Sequence, residues 1–291
     1  MELEKQEKAQ SILEMKELDN YPALTQNDEV DQLTVVTDLP SGFKGYPKGT
    51  KISFSPVTLK ELEALNPSED KDIDVTEGIA LLLKSIHCNT VQPQDLYYWD
   101  VMYIGIQRKL QAFGNTKGTL FARCPKCGNI VNKQFNYTDL EFKELQVPAL
   151  PMKMTISNQP VEFGLITIKQ FLEIDVSQGA LGVYARMIKN MSFEDAYKLV
   201  QNAVGIDIKK ILFVDKQLDY GLKPFTVKCN AQKQIANPGF DNTQAEGPNN
   251  KKKITKTCDE QVVVEVTSPF EVVFPENTDN GDLEFEVQYG D

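Results

Sequence analysis

Apolar positions along the chain follow two periods, three to four residues in some stretches and two in others. Residues 1–19 set Leu3, Ile12, Leu13, Met15 and Leu18 among Glu, Lys and Gln, a helix with a thin stripe that either docks or moves freely. Pro40, Gly42, Gly45 and Pro47 mark a loop, and the alternation in KISF, ending at Phe54, predicts a short strand. Leu59, Leu62 and Leu65 predict a helix opened by Ser55-Pro56 and ended by Asn66-Pro67. Ile79, Leu82, Leu83 and Ile86 predict a second helix over 74–87. The longest helical pattern, 95–113, carries Leu96, Trp99, Met102, Tyr103, Ile106 and Leu110 and stops at Gly114. Its aromatic residues read as core rather than as a ligand box.

Beyond Gly114 the period shortens. Alternation on both sides of Cys124 and Cys127 predicts two strands joined by a turn, and residues 151–164 predict a hairpin turning at Asn158-Gln159-Pro160. Three or four short helices follow over 167–218, split by Gly179, Asn190 and Gly205. Strand patterns return over 224–275. Between them residues 231–256, rich in Asn, Gln, Gly, Pro and Lys, read as a flexible insertion. The fold class expected is α+β: a helical body with short hairpins around a zinc-ribbon-like four-cysteine knuckle. The order helix, strand, Cys, Cys, strand occurs at 95–137 and again at 206–266, a weak internal duplication. Three regions result: an acidic N-terminal helix or arm at 1–34, a body at 35–275, and an acidic tail at 276–291.

Charge changes this picture at the ends only. The net charge is −11; residues 1–31 carry nine acids and three bases, and residues 271–291 carry seven acids and no base. The body is therefore nearly neutral, which argues against non-specific binding of nucleic acid. The acidic ends read as solvated tails or as docking segments for a basic partner. No run approaches the ~18 apolar residues of a membrane helix, and the N-terminus lacks an apolar stretch, so a soluble, intracellular protein with no membrane partner is expected.

Five cysteines are present, Cys88, Cys124, Cys127, Cys229 and Cys258. An odd count without a signal sequence does not suggest a disulfide framework. Cys124-Pro125-Lys126-Cys127-Gly128 is the most specific motif. Two thiolates two residues apart bind one tetrahedral ion on a tight turn, backbone N–H groups lower the thiol pKa values, and the glycine allows the left-handed backbone that closes the turn. A redox Cys-x-x-Cys usually opens a helix, whereas strands flank this pair. Cys229 and Cys258, each at a strand end, are the candidates for the other half, their separation explained if residues 231–256 expand the second turn. Zinc held by Cys124, Cys127, Cys229 and Cys258 would have no open position and would be structural.

No catalytic or cofactor-binding residue is assigned. His87, the sole histidine, reads as a capped or packed residue at a helix end. There is no phosphate-binding loop, Gly-x-Gly-x-x-Gly, His-Glu-x-x-His or Gly-x-Ser-x-Gly. Lys251-Lys252-Lys253 reads as solvated. A protein that is not an enzyme is expected. A zinc-ribbon module for nucleic acid or a transcription complex is the alternative, resting on Arg123, Lys126 and Lys133 beside the turn.

Three segments carry a resemblance: Asp38-Leu-Pro-Ser41 with Gly45-Tyr46-Pro47 and the strand KISF; Asp95-Leu-Tyr-Tyr-Trp-Asp100 running through Ile104 and Arg108 to Gly114; and Cys124-Pro-Lys-Cys-Gly128. In this order they resemble the baseplate hub assembly proteins of T-even-type contractile-tailed bacteriophages, over roughly residues 35–275. Asp219-Tyr220-Gly221, Cys229 and the stretch PFEVVFP occupy matching places, and the wide gap from Cys229 to Cys258 departs from that pattern. The resemblance implies a chaperone-like factor or minor hub component, acting in the host cytoplasm during assembly or in the virion tail. It would bind the tape measure protein and hub subunits.

Overall fold

The structure is a computed structural model, and it describes residues 33–58, 61, 75–114, 117–236 and 253–264. The expected N-terminal helix, most of the helix over 55–66 and the acidic tail lie outside these residues. Mixed helices and small antiparallel sheets make the chain α+β. In order these are β1 (Thr34–Val36), β2 (Ile52–Phe54), α1 (Val75–Lys84), β3 (Ile86–Cys88), α2 (Tyr98–Phe113), β4 (Lys117–Arg123) and β5 (Ile130–Asn136). Next come β6 (Phe142–Lys143), β7 (Met152–Ile156), β8 (Gln159–Phe163), α3 (Ile168–Leu172), α4 (Gly179–Met187), α5 (Phe193–Gln201) and α6 (Ile206–Gln217). The last are β9 (Gly221–Leu222), β10 (Phe225–Lys228), β11 (Gln232–Ala236), β12 (Lys253–Thr257) and β13 (Gln261–Val264). No helix among the described residues is long and apolar enough to cross a membrane.

The described residues fall into two compact units. The described residues of the first lie within 33–114 and 141–222; those of the second lie within 117–140 and 223–264.

In the first unit, β1, β2 and β3 form one antiparallel sheet with β2 at its centre. Helix α1 buries Ile79, Leu82 and Leu83 and ends at Ser85, whose hydroxyl donates to the Leu82 carbonyl at 2.7 Å. The expected helix to residue 87 is thus corrected. Ile86–Cys88 pairs with β2, and His87 sits opposite Ser53 in a strand rather than at a helix end. Helical spacing alone extended the helix, because Ile86 falls on its apolar face; sheet pairing overrides it. Helix α2 buries Val101, Met102, Ile104 and Ile106, and Gly114 closes it with an N–H bond to Leu110 O at 2.9 Å.

Hairpin β7–β8 turns at Ser157 and Asn158, both with positive φ, one residue earlier than the sequence pattern suggested. Two left-handed residues match the twist of the flanking strands. Pro160 then falls inside β8. Caps start the following helices: Thr167 with Gln170 at α3, and Ser192 with the Asp195 N–H at α5.

One buried carboxylate ties the first unit together. Asp100 on α2 is fully buried and accepts from the Ser41 N–H at 3.0 Å and the Tyr46 hydroxyl at 2.9 Å. The Tyr46 oxygen in turn accepts from the Tyr97 N–H at 2.8 Å, and the two tyrosine rings stack. Desolvation drives the Asp100 carboxyl up to about 6 against the hydrogen bonds from Ser41 and Tyr46, and Asp38 adds to the rise. Gly221, with φ +106°, lies against the Trp99 indole so closely that a Cβ would overlap the ring. Arg108, also on α2, donates to Ser55 O at 2.7 Å, to Pro56 O at 2.8 Å and to both Glu61 carboxylate oxygens.

The second unit is built of two-stranded ribbons. Strands β4 and β5 pair over their full length, and β10 pairs with β13. The β10–β13 ribbon packs on the β4–β5 ribbon, β13 beside β4 and β10 beside β5. Phe135 stacks on Phe225 with ring centroids 5.4 Å apart and lies over Gly118. Strands β11 and β12 pair from Gln232–Thr257 to Ala236–Lys253. Both ends of the segment read as a flexible insertion are therefore paired strand; its middle, 237–252, lies outside the described residues.

Candidate metal centre

Among the described residues of the second unit, Leu120, Phe135, Tyr137 and Val264 are buried, and a separate small cluster gathers Cys124, Val131, Cys229 and Val262, with Ala122, Val227, Ala231 and Cys258 packed on it. Cysteines are half of the buried members of that small cluster, in a unit small enough for a cross-link to matter.

Each cysteine is placed by strand geometry. Cys124 directly follows β4 and Cys127 lies in the turn to β5; Cys229 directly follows β10 and Cys258 follows β12. The Sγ atoms of Cys124 and Cys258 are 3.7 Å apart, those of Cys127 and Cys229 3.6 Å, and all four lie within 4.8 Å of one another. A disulfide needs ~2.05 Å, and these are free thiols. Four sulfurs at ~2.3 Å from one tetrahedral ion sit ~3.8 Å apart, so the spacing fits zinc. Cys88 takes no part: it lies in the first unit, with Sγ 3.8 Å from the Thr90 hydroxyl.

The two halves of the site share one backbone pattern. In the first, Cys124 N donates to Asn129 O at 2.8 Å and Gly128 N to Cys124 O at 2.9 Å. In the second, Cys229 N donates to Glu260 O at 2.8 Å and Asp259 N to Cys229 O at 3.0 Å. Cys229 therefore corresponds to Cys124, Cys258 to Cys127, Asp259 to Gly128 and Glu260 to Asn129. The residue after the second cysteine is left-handed in both, with φ 73° at Gly128 and 56° at Asp259; Asp is among the few residues besides Gly that tolerate it. The second half is the first with a β-hairpin inserted between its cysteines.

Backbone donors face the sulfurs. Desolvation opposes ionisation of Cys124, but the N–H groups of Cys127 and Lys126 and the adjacent thiols bring it down to about 7. The Glu260 N–H favours the Cys258 thiolate, yet desolvation and the neighbouring sulfurs outweigh it and push this thiol up to about 12. Cys229 is raised as well, against the pull of the Ala231 N–H. Several thiolates at this spacing repel one another, and a divalent cation among them relieves that repulsion. Two exposed ion pairs rim the site, Lys126 with Glu260 at 3.1 Å across the two halves and Lys228 with Asp259 at 2.9 Å. Sequence reasoning did not single out Asp259 or Glu260 as parts of this turn; the signal available was Cys258-Asp259 standing where the first motif has Cys127-Gly128.

The first unit holds a separate cleft of about 540 Å³ bounded by Tyr46, Tyr97, Leu150, Glu173 and Lys189. Desolvation brings the Lys189 ammonium down to about 8, and it donates to Gln170 Oε1 at 2.7 Å and Arg186 O at 3.0 Å. His87 lies in β3 of the first unit and is not among the clustered ligands.

Fold and site together define an α+β protein whose smaller unit is organised around four cysteine sulfurs. The family model described as T4 bacteriophage base plate protein matches residues 32–235. The chain belongs to this family, which associates it with the phage tail baseplate. The match includes Cys124, Cys127 and Cys229 and ends inside the inserted hairpin, before Cys258. No curated protein and no solved structure gave a significant match.

Proposed function

We propose that this chain helps to build the baseplate hub as a non-enzymatic assembly protein, either a chaperone-like factor or a minor structural subunit. It binds the tape measure protein and hub subunits during tail assembly in the host cytoplasm, and a structural zinc on Cys124, Cys127, Cys229 and Cys258 holds its smaller unit. The family match over residues 32–235 carries the reading. It is supported by the way two signature segments converge: Ser41 and Tyr46 from the loop meet Asp100 from the helix in one buried hydrogen-bonded cluster. The fit of four sulfurs to a tetrahedral ion supports the metal, and such a site, closed by four protein ligands, stabilises a fold rather than performing chemistry.

Co-expression with the tape measure and hub proteins tests the partner assignment. The expected result is a complex that survives affinity and size-exclusion steps; a lone monomer that captures neither would overturn it. Metal analysis tests the zinc separately. One zinc per chain is expected, with Cys88 reacting with a thiol reagent in the native protein and the other four shielded until the metal is chelated. A metal-free protein with five reactive thiols would refute the site.

A further inference from the structure

Helix α6 turns Ile211 and Val214 inward, followed by Leu218. Its first turn is fixed by Asp207, which accepts from the Ser157 N–H at 2.9 Å and pairs with Lys210 at 2.9 Å. The outward side is not the polar face that a surface helix normally shows. Ile206 is 65% exposed, Ile208 46%, Leu212 50% and Phe213 51%, and Val204 just before the helix is 71% exposed. Ile208 and Leu212 lie one turn apart, and Ile206 and Phe213 two turns apart. Between these pairs the same side carries the exposed Lys209 and Lys216. Asp215 stands at one edge, near Tyr184. A cluster of this kind marks an interaction surface.

The basic residues within it select the occupant. A second copy packed by two-fold symmetry would set Lys209 and Lys216 against the same lysines. An amphipathic helix with carboxylates beside its apolar residues fits both parts of the face. Residues 1–19 have that composition, with six acids, three bases and Ile12, Met15 and Leu18 at three-residue spacing. The acidic C-terminal sequence fits less well: Leu283, Phe285 and Val287 alternate as in a strand, and a helix face offers no sheet edge. Fourteen residues, 20 to 33, separate that segment from β1, a chain length of up to ~50 Å when extended. We propose that the acidic segment 1–19 docks in cis across the exposed face of α6 formed by Ile206, Ile208, Leu212 and Phe213, with its carboxylates toward Lys209 and Lys216.

Zero-length carbodiimide cross-linking of the dilute full chain, mapped by mass spectrometry, tests this. The expected result is intramolecular links from Lys209 and Lys216 to Glu14, Glu17 or Asp19. The triple change Ile208→Ser, Leu212→Ser, Phe213→Ser should lower their yield at least about tenfold, the effect of losing ~1.4 kcal/mol or more of apolar contact. Unfolding followed by Trp99 fluorescence should remain a cooperative transition, because Ile211 and Val214 on the buried side of the helix are untouched. Links from these lysines to residues 271–291 instead, links only between two chains, or no link to residues 1–19 would each overturn the proposal.

Discussion

Replacing Asp100 with asparagine should change the pH dependence of stability more than stability itself. Asp100 is fully buried, and its carboxyl stands at about 6 in the folded chain against an ordinary value of 3.8. The folded state therefore holds this proton more tightly than the unfolded state. The stability this gives is fully present below pH 3.8 and is lost as pH rises through 6, with little further change above about 7. At about 1.4 kcal/mol for each tenfold change in proton affinity, the loss is about 3 kcal/mol, roughly half of it complete by pH 5. The amide oxygen introduced by Asp100→Asn would still accept from the Ser41 N–H. It leaves the Tyr46 hydroxyl without its acceptor, a cost of about 1–3 kcal/mol at every pH. Denaturant unfolding of both proteins from pH 4 to 8 isolates the effect, because other carboxylates cancel in the difference. Trp99, the only tryptophan, packs in the first unit and reports on it. The stability difference between wild type and Asp100→Asn should shrink by about 2.5 kcal/mol, or change sign, between pH 4 and 8. Two curves that stay parallel would refute the idea that desolvation governs this carboxyl.

Three further outcomes follow from single contacts. Gly118→Ala places a methyl group in the Phe135 ring and should cost the second unit about 1–3 kcal/mol, with Phe135→Leu in the same chain restoring part of it in thermal unfolding. Arg108→Met removes the cation facing Glu61, leaving that carboxylate only its Thr58 donors and two carbonyls without theirs, and should lower first-unit stability by about 3–5 kcal/mol, read by Trp99 fluorescence. Cys258→Ser removes one of four sulfurs and should reduce bound metal, measured by elemental analysis, to well under one ion per chain while the Trp99 transition stays in place.

Much of this arrangement was legible in the chain because it is local. The turn at Cys124–Gly128 is written in five consecutive residues, and the strand-end positions of Cys229 and Cys258 pointed to the sulfurs that meet them. What the pattern concealed depends on distant partners. Asp100 is one acid in an apolar helix until Ser41 and Tyr46, more than fifty residues earlier, close over it. Strand β3 was hidden because Ile86 continues the spacing of Ile79, Leu82 and Leu83, and only its pairing with β2 ends the helix. Hairpin β11–β12 was hidden because its sequences, QKQIA and KITKT, are mostly polar and lack the alternation that announces a half-buried strand.

The matched hydrogen bonds of the two cysteine turns make a stronger claim than proximity of four sulfurs. If the second turn is the first with a hairpin inserted, residues 230–257 are not needed to shape it. The chain can be shortened so that Cys229 and Cys258 are joined by Pro-Lys, as Cys124 and Cys127 are, with Asp259→Gly supplying the left-handed position at no cost. The N–H that Ala231 presents to the Cys229 sulfur comes from two residues on, and the new lysine would occupy that place as Lys126 does for Cys124. The bonds from Cys229 N to Glu260 O and from Asp259 N to Cys229 O span only retained residues. The shortened protein should keep one metal ion per chain and shield four thiols, with strands β10 and β13 still paired. Loss of the metal would mean that β11 and β12 shape the site themselves, and the correspondence of Cys229 with Cys124 and of Cys258 with Cys127 would be a coincidence of backbone geometry. Retention would leave the hairpin free of any duty at the metal centre, so that any defect of the shortened protein in baseplate assembly would be a defect of the hairpin.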